Sequence, residues 1–93
     1  MILFASINII VTFTKISMEL FVENVRNDIA NDPSLADNYC VVVNVFSGYA
    51  YSHTSAAVRY IYKNIDEFEK KFPEDLKKIE TGLGIAFQAW KFD

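Results

Sequence analysis

The stretch Tyr39-Cys40-Val41-Val42-Val43-Asn44-Val45-Phe46 decides the fold class, because it is apolar at almost every position. A run of this length that is rich in β-branched residues is typical of a strand buried on both faces. We therefore predict a central strand over these residues, ended by Ser47 and Gly48. A strand with two buried faces and two paired edges requires further strands elsewhere in the chain.

Three other segments have the pattern of strands. Residues 2–14 alternate between apolar and polar side chains, which predicts a long, half-buried strand. Residues 83–90 alternate in the same way and predict a closing strand. Residues 56–63 also alternate, although their apolar side chains would equally line a helix that runs on from Ser55. We expect the strand there.

A first helix is predicted between the first two strands. Ser17 is a suitable N-cap, and Glu19 in the first turn would interact favourably with the helix dipole. The helix should stop just before Pro33, because proline disfavours helical geometry in the residue that precedes it.

A second helix is predicted to begin at Asn64. Asn64 and Glu67 have the spacing of a capping box, with asparagine in place of serine or threonine. Pro73 should kink this helix or restart it, and Gly82 should cap its end. The order β-α-β-β-α-β predicts one α+β domain over residues 1–93, with a ferredoxin-like, four-stranded antiparallel sheet and both helices packed on one face.

Composition narrows the possible classes of protein. Of the 93 residues, 52% are hydrophobic and 23% charged, which excludes a disordered chain. Cys40 is the single cysteine, so no internal disulfide forms, and its apolar neighbours indicate an inert buried thiol. The apolar N-terminal segment lacks a basic start and is too short to span a bilayer. We expect a cytoplasmic protein, in the host cytoplasm if it is viral, that does not bind a membrane.

No catalytic, metal or cofactor motif is visible. His53 is the only histidine, and no second ligand stands at a metal-binding spacing from it. The glycines at 48, 82 and 84 form neither a phosphate loop nor a dinucleotide fingerprint. We therefore predict a protein that is not an enzyme and that has no cofactor.

The first candidate contact surface is the segment 47–55, which is built from serine, glycine and tyrosine. Tyrosine gives wide amphipathic contacts at low entropic cost, and long loops on small scaffolds are usually functional or mobile. Tyr49, Tyr51 and His53 are the candidate partner-binding residues of this segment.

The same segment resembles RNA-recognition motifs. Ser47-Gly48-Tyr49-Ala50-Tyr51 resembles the core of their RNP1 signature, and that family shares the β-α-β-β-α-β order. The resemblance implies that Tyr49 and Tyr51 stack on bases. Serine stands in place of the basic residue of the signature, and the net charge of −3 disfavours phosphate binding, so nucleic acid is the less favoured partner.

The second candidate surface is a run of acidic residues that contains the whole acidic excess of the chain. A patch of one sign accelerates encounter with a partner of the opposite sign. The candidate residues are Glu19, Glu23, Asp28, Asp32 and Asp37.

These features favour a small, non-enzymatic protein-binding domain. In kind, it resembles the inhibitors that phages use against host defences, including anti-CRISPR proteins, which implies occlusion of a basic, nucleic-acid-binding surface. The alternative is a ferredoxin-like homodimer that binds a ligand or is a small enzyme. Acylphosphatases share this size and element order, but no arginine precedes Arg26 here to match their phosphate-binding loop. RNA binding is the third possibility.

Overall fold

The chain folds into a four-stranded sheet and two helices. The computed structural model describes residues 1–10, 13–46, 56–79 and 84–92. The elements, in chain order, are β1 (Ile2–Ile10), α1 (Thr14–Asn31), β2 (Tyr39–Phe46), β3 (Ala56–Tyr62), α2 (Ile65–Leu76) and β4 (Gly84–Lys91). The predicted α+β class and element order are confirmed, and the segment after Ser55 is a strand.

The order of the strands differs from the prediction. The sheet is antiparallel throughout, with the order β1-β4-β2-β3, so β2 and β4 are central. The predicted ferredoxin-like order, which has β1 and β3 at its centre, is wrong. Burial explains the difference, because β4 buries small residues such as Ala86 and Ala89 on its two faces, whereas β3 exposes Arg59 and Ile61. Small apolar side chains suit a strand between two others, and a charged side chain suits an edge.

Both helices contribute to one core on one face of the sheet. The buried side chains alternate along the strands, as at Val41, Val43 and Val45 of β2, because successive residues of a strand point to opposite faces. Phe68 of α2 connects the layers. Its ring centroid lies 5.6 Å from that of Phe21 in α1 and 5.6 Å from that of Phe87 in β4.

Helix α1 begins earlier than the sequence predicted. It starts at Thr14, so Ser17 is an internal residue and Glu19 lies beyond the first turn. Thr14 and Ser17 are buried, and they precede Phe21 at spacings of seven and four residues. These positions lie on one helical face. Two small polar side chains thus extend the buried stripe, and the predicted strand does not run to residue 14, because Phe13 and Thr14 already belong to the start of α1.

The predicted end of α1 and start of α2 are confirmed. Helix α1 stops at Asn31, and Pro33 begins a short 3-10 helix, Pro33–Leu35. At the start of α2, the Asn64 side chain accepts a hydrogen bond of 2.9 Å from the Glu67 backbone N–H. The Glu67 carboxylate accepts from the backbone N–H of Lys63, which lowers the pKa of Glu67. The two side chains therefore satisfy N–H groups at the helix entrance from both sides.

Two buried tyrosines connect the sheet to α2. The Tyr62 hydroxyl donates to Asp75 Oδ2 at 2.6 Å, and the Tyr39 hydroxyl accepts from the backbone N–H of Ile65 at 2.8 Å. Burial raises the pKa of both phenols, and the nearby Asp75 carboxylate raises the pKa of Tyr62 further. The protonated phenol is the form that the folded protein stabilises.

We expect the protein to lose stability above pH 10 because of these raised pKa values. An unfolded tyrosine releases its proton near pH 10, whereas the folded phenols retain theirs, so unfolding becomes more favourable as the pH rises further. Replacing Tyr62 by Phe should cost about 1.5 kcal/mol at pH 7, where the bond to a charged acceptor is lost. The replacement should also make the decrease in stability above pH 10 less steep. Urea denaturation of both proteins from pH 7 to 11 measures the free energy of unfolding. If this free energy changed with pH in the same way in both proteins, the raised pKa of Tyr62 would be contradicted.

Neither described helix has the length and apolar character that a bilayer-spanning helix needs.

Candidate functional site

The sheet has one face that no described helix covers, which we call the helix-free face. Its side chains come from alternate positions of the four strands, and cross-strand pairs such as Val42 with Gln88 and Asn44 with Arg59 lie side by side on it. The residues of this face include Leu3, Ser6, Asn8, Cys40, Val42, Asn44, Phe46, Arg59, Ile61, Ala86, Gln88 and Trp90.

Apolar and polar side chains are mixed on this face. Ile61 is 67% exposed and Leu3 is 41% exposed, and Trp90 is half-buried. These positions surround a centre at Val42 that is only partly covered. An exposed isoleucine and an accessible tryptophan on one sheet face are typical of a surface that another molecule covers.

Two hydrogen bonds fix the polar groups of the helix-free face. Arg59 Nε donates to Asn44 Oδ1 at 2.8 Å, and Trp90 Nε1 donates to Gln88 Oε1 at 3.1 Å. Asn44 is only 8% exposed, so the bond from Arg59 satisfies a buried amide oxygen. The bond uses one donor of the guanidinium group, which has five N–H donors in total. Arg59 is thereby held in place while it keeps donors for a partner.

A shallow depression of about 330 Å³ lies between these groups. Trp90 and Gln88 line it on the β4 side, Arg59 lines it on the β3 side, and Val42 and Asn44 contribute from β2 between them. Met1 also contacts it. The depression has an apolar base and hydrogen-bonding groups at its rim, an arrangement that can accept one side chain of a partner.

A second depression, of about 420 Å³, lies at the end of the sheet where β2 begins and β3 ends. It includes Asp37, Cys40 and Lys63. Burial raises the pKa of the Cys40 thiol, so the thiolate is disfavoured at neutral pH. The sequence interpretation of a buried, unreactive thiol agrees with this environment, and the depression offers no activated nucleophile.

The structure separates the five acidic candidates. Glu19 and Glu23 are exposed and lie one turn apart on the same side of α1. Asp28 is half-buried and lies about 140° around the helix from Glu23. Asp32 is exposed but accepts hydrogen bonds from the Ser34 hydroxyl (2.6 Å) and backbone N–H (3.2 Å), which lower its pKa.

Asp37 follows the 3-10 helix and lines the second depression, away from the side of α1 that carries Glu19 and Glu23. Asp28 and Asp32 are also one turn apart, and the Asp32 backbone N–H donates to the Asp28 carbonyl at 2.9 Å, but Asp28 is half-buried. Glu19 and Glu23 are therefore the adjacent pair in which both side chains are exposed.

The aromatic candidates Tyr49 and Tyr51, together with His53, lie outside the described residues. Their assignment as partner-binding residues stays a prediction. Within residues 1–10, 13–46, 56–79 and 84–92, no three His, Cys, Asp or Glu side chains are close enough together to hold a metal ion.

The sequence analysis did not identify Arg59 and Trp90 as site residues. A signal was present, since position 59 alternates with the core-facing Tyr60 and position 90 alternates with the core-facing Ala89. Alternation places both side chains on the face opposite the core. It does not place them together, because this depends on the strand order, which the sequence analysis predicted wrongly.

Comparison with known proteins gives no relative. No protein family, no curated protein and no solved structure matches this chain significantly.

Proposed function

We propose that this chain is a non-catalytic binding module that contacts another protein through its helix-free face. The observation that carries the proposal is the depression between Arg59 and Trp90, whose polar side chains are oriented by two hydrogen bonds on a face that no described helix covers. A tryptophan and an arginine are two of the three residue types that dominate the energetics of protein interfaces.

The mixture of groups on this face favours a protein partner. Exposed apolar side chains such as Ile61 supply area that becomes buried on binding, and the depression supplies a pocket for an anchoring side chain. The hydrogen-bonding groups at the rim, Gln88 and Arg59, would fix the orientation of the partner. Binding energy would then come from a small, well-packed centre.

A nucleic-acid partner is less well supported on this face. Stacking on bases can use Trp90, but binding of the backbone needs several cations near the strand. Arg59 is the one basic side chain in the described part of the helix-free face, and the chain has a net charge of −3. Repulsion between the acidic protein and phosphates would oppose association.

The acidic pair on α1 supports a second candidate surface for a protein partner. Glu19 and Glu23 are exposed and adjacent, and neither forms an ion pair with a described residue. The hypothesis of an inhibitor that occludes a basic, nucleic-acid-binding surface in the cytoplasm would use these carboxylates. That hypothesis rests on the acidic run and on a resemblance in kind, and it predicts a partner with a basic surface.

Site-specific photocross-linking tests which face binds. A benzophenone amino acid at Ile61, in the helix-free face, should cross-link a protein in lysate of the source cells, whereas the same group at Lys70, exposed on α2, should not. Digestion with nuclease before analysis separates protein from nucleic-acid adducts. Equal labelling from both positions, or adducts that nuclease removes, would contradict the proposal.

We expect replacement of Trp90 by Ala to weaken binding of the cross-linked partner about 30-fold, which corresponds to about 2 kcal/mol. Replacement of Ile61 by Asp should also weaken binding, since it puts a charge on an exposed apolar residue of the contact face. The double reversal Glu19→Lys and Glu23→Lys should leave the affinity unchanged if the helix-free face binds. Loss of binding only in the double reversal would instead assign the contact to α1. Isothermal titration calorimetry measures the affinities, and melting curves verify that each variant is folded.

A further inference from the structure

Strand β1 is an edge strand whose protection against pairing is limited to one β-bulge near its start, between Leu3 and Ala5. Among the described strands it pairs with β4 alone, and its nine residues, Ile2–Ile10, include no charged residue and no proline. Natural sheets normally protect such an edge with lysine, proline or a covering element. The other edge strand, β3, carries Arg59. The outward N–H and C=O groups of β1 are therefore a template for another strand.

Helix α1 lies above this edge and presents an uncharged stripe. The stripe has five residues, separated along the chain by seven, four, three and four positions. All five therefore lie within a sector of about 60° around the helix axis. All five of its side chains are exposed, and Phe13 is 60% and Leu20 is 50% exposed. The stripe consists of Phe13, Leu20, Asn24, Asn27 and Asn31.

The stripe points away from α2, toward the side of β1. Arg26, which lies about 130° around the helix from the stripe, forms ion pairs with Asp66 (3.0 Å) and Glu69 (2.9 Å) of α2. Helix α1 packs chiefly on β1 and to a smaller extent on β4, so no other described element covers its opposite flank. The charged side chains Glu19 and Glu23 lie nearer to Arg26 than to the centre of the stripe.

We propose that this surface, β1 together with the stripe of α1, joins two copies of the chain. The two β1 strands pair antiparallel about a two-fold axis and form one continuous sheet of eight strands, and the two α1 helices pack beside each other above the junction. This inference is independent of the helix-free face and of any other partner.

The chemistry of the surface is complementary to itself. A carboxamide both donates and accepts hydrogen bonds, as does a strand edge, so the exposed asparagines of one copy can bond polar groups of a second copy. None of the three amides hydrogen-bonds to another described residue. A partner of opposite charge would find little to recognise here. The one charged residue beside the stripe on the side of the sheet is the half-buried Asp28, about 70° from the centre of the stripe, so a second copy meets few charges on this surface although each chain has a net charge of −3.

The dimensions also agree with a dimer. Strands in a sheet are about 4.8 Å apart, so an α1 axis above the β1–β4 pair would lie about 5 Å from the two-fold axis. The two α1 axes would then be about 10 Å apart, which is the distance at which helices pack. A nine-residue strand and an 18-residue helix are each about 30 Å long. A contact surface of that length and about 20 Å height would have an area of roughly 600 Å² on each copy. This area is in the lower range of specific interfaces.

Analytical ultracentrifugation of the full chain at about 100 μM tests the proposal. The wild type should sediment with twice the 10.7 kDa mass of one chain. Leu20→Glu should sediment as a monomer with an unchanged circular-dichroism spectrum, because Leu20 is exposed and contributes little to the core. Ile61→Glu, an equally drastic change at an exposed residue of the helix-free face, should remain a dimer.

Two further measurements separate pairing of the strands from other contacts. Mixing the Leu20→Glu protein with a Leu20→Lys protein should restore a dimer, and amide exchange in β1 should slow as the protein concentration rises. A monomeric wild type, a Leu20→Glu dimer, or loss of the dimer in Ile61→Glu would overturn the proposal. Exchange in β1 that does not depend on concentration would do the same.

Discussion

Replacing Phe68 by alanine is expected to destabilise the protein by about 4 kcal/mol, close to the total stability of many domains of this size. Phe68 is fully buried, and its ring contacts those of Phe21 and Phe87 at 5.6 Å, Tyr62 at 5.4 Å and Phe72 at 5.1 Å. Removing the ring leaves a cavity where α1, α2 and the sheet meet. Rigid neighbouring aromatic rings cannot collapse into such a space easily, so the larger part of the cavity cost should remain.

Urea denaturation at pH 7, followed by circular dichroism, measures this loss. Ile61→Ala is the matched control, because it also truncates a large apolar side chain but at a position that is 67% exposed. The control should lose less than about 1 kcal/mol. If both variants lost the same free energy, Phe68 would not be the centre of the core.

Replacing Pro73 by alanine is expected to stabilise the protein by about 2 kcal/mol. Helix α2 runs without interruption from Ile65 to Leu76, with Pro73 inside it and exposed. Of the two predicted effects of Pro73, a restart of the helix is therefore wrong, and a kink stays a prediction. A proline inside a helix costs about 3 kcal/mol relative to alanine, because it lacks the N–H that would bond the carbonyl of Glu69 and its ring crowds that carbonyl. The greater freedom of alanine in the unfolded chain offsets part of the gain.

The matched control for this variant is Lys70→Ala in the same helix. Lysine and alanine differ by only a few tenths of a kcal/mol in helix propensity, so this change should be nearly neutral. A shift of the urea midpoint to higher concentration in Pro73→Ala, with an unchanged slope, is the expected result. An unchanged or lower midpoint would show that the chain has already adapted to the proline at this position.

The sequence predicted the elements well because their signals are local. Strand β2 is an apolar run between polar segments, and Asn64 with Glu67 forms a capping arrangement at the predicted residues. The start of α1 was missed for an equally local reason. Ser17 is a good cap by type, but its spacing from Phe21 and Val25 also fits the buried stripe. Helix-dipole and capping interactions stabilise a helix by about 1 kcal/mol. This is less than the free energy gained when a further turn of helix is buried.

The strand order was not predictable in the same way, because it depends on contacts between distant segments. The order of elements along the chain is compatible with more than one arrangement of an antiparallel sheet. The information that decides between them is the size of the side chains on each face, such as Ala86 on β4 against Arg59 on β3. The candidate site shares this dependence. Arg59 and Trp90 come together only because β2 alone separates β3 from β4.

The central place of β4 has a consequence for how the protein is made. Among the described strands, β1 pairs with β4 alone, and β4 leaves the ribosome after the other three strands. A nascent chain that ends before Gly84 therefore has a hairpin of β2 and β3 with an unpaired inner edge, and an apolar β1 with no strand beside it. Pairings between such distant segments form slowly. Unpaired apolar strands should therefore stay exposed until β4 has been made and has paired. A holdase chaperone that binds β1 during this time should raise the yield of folded protein.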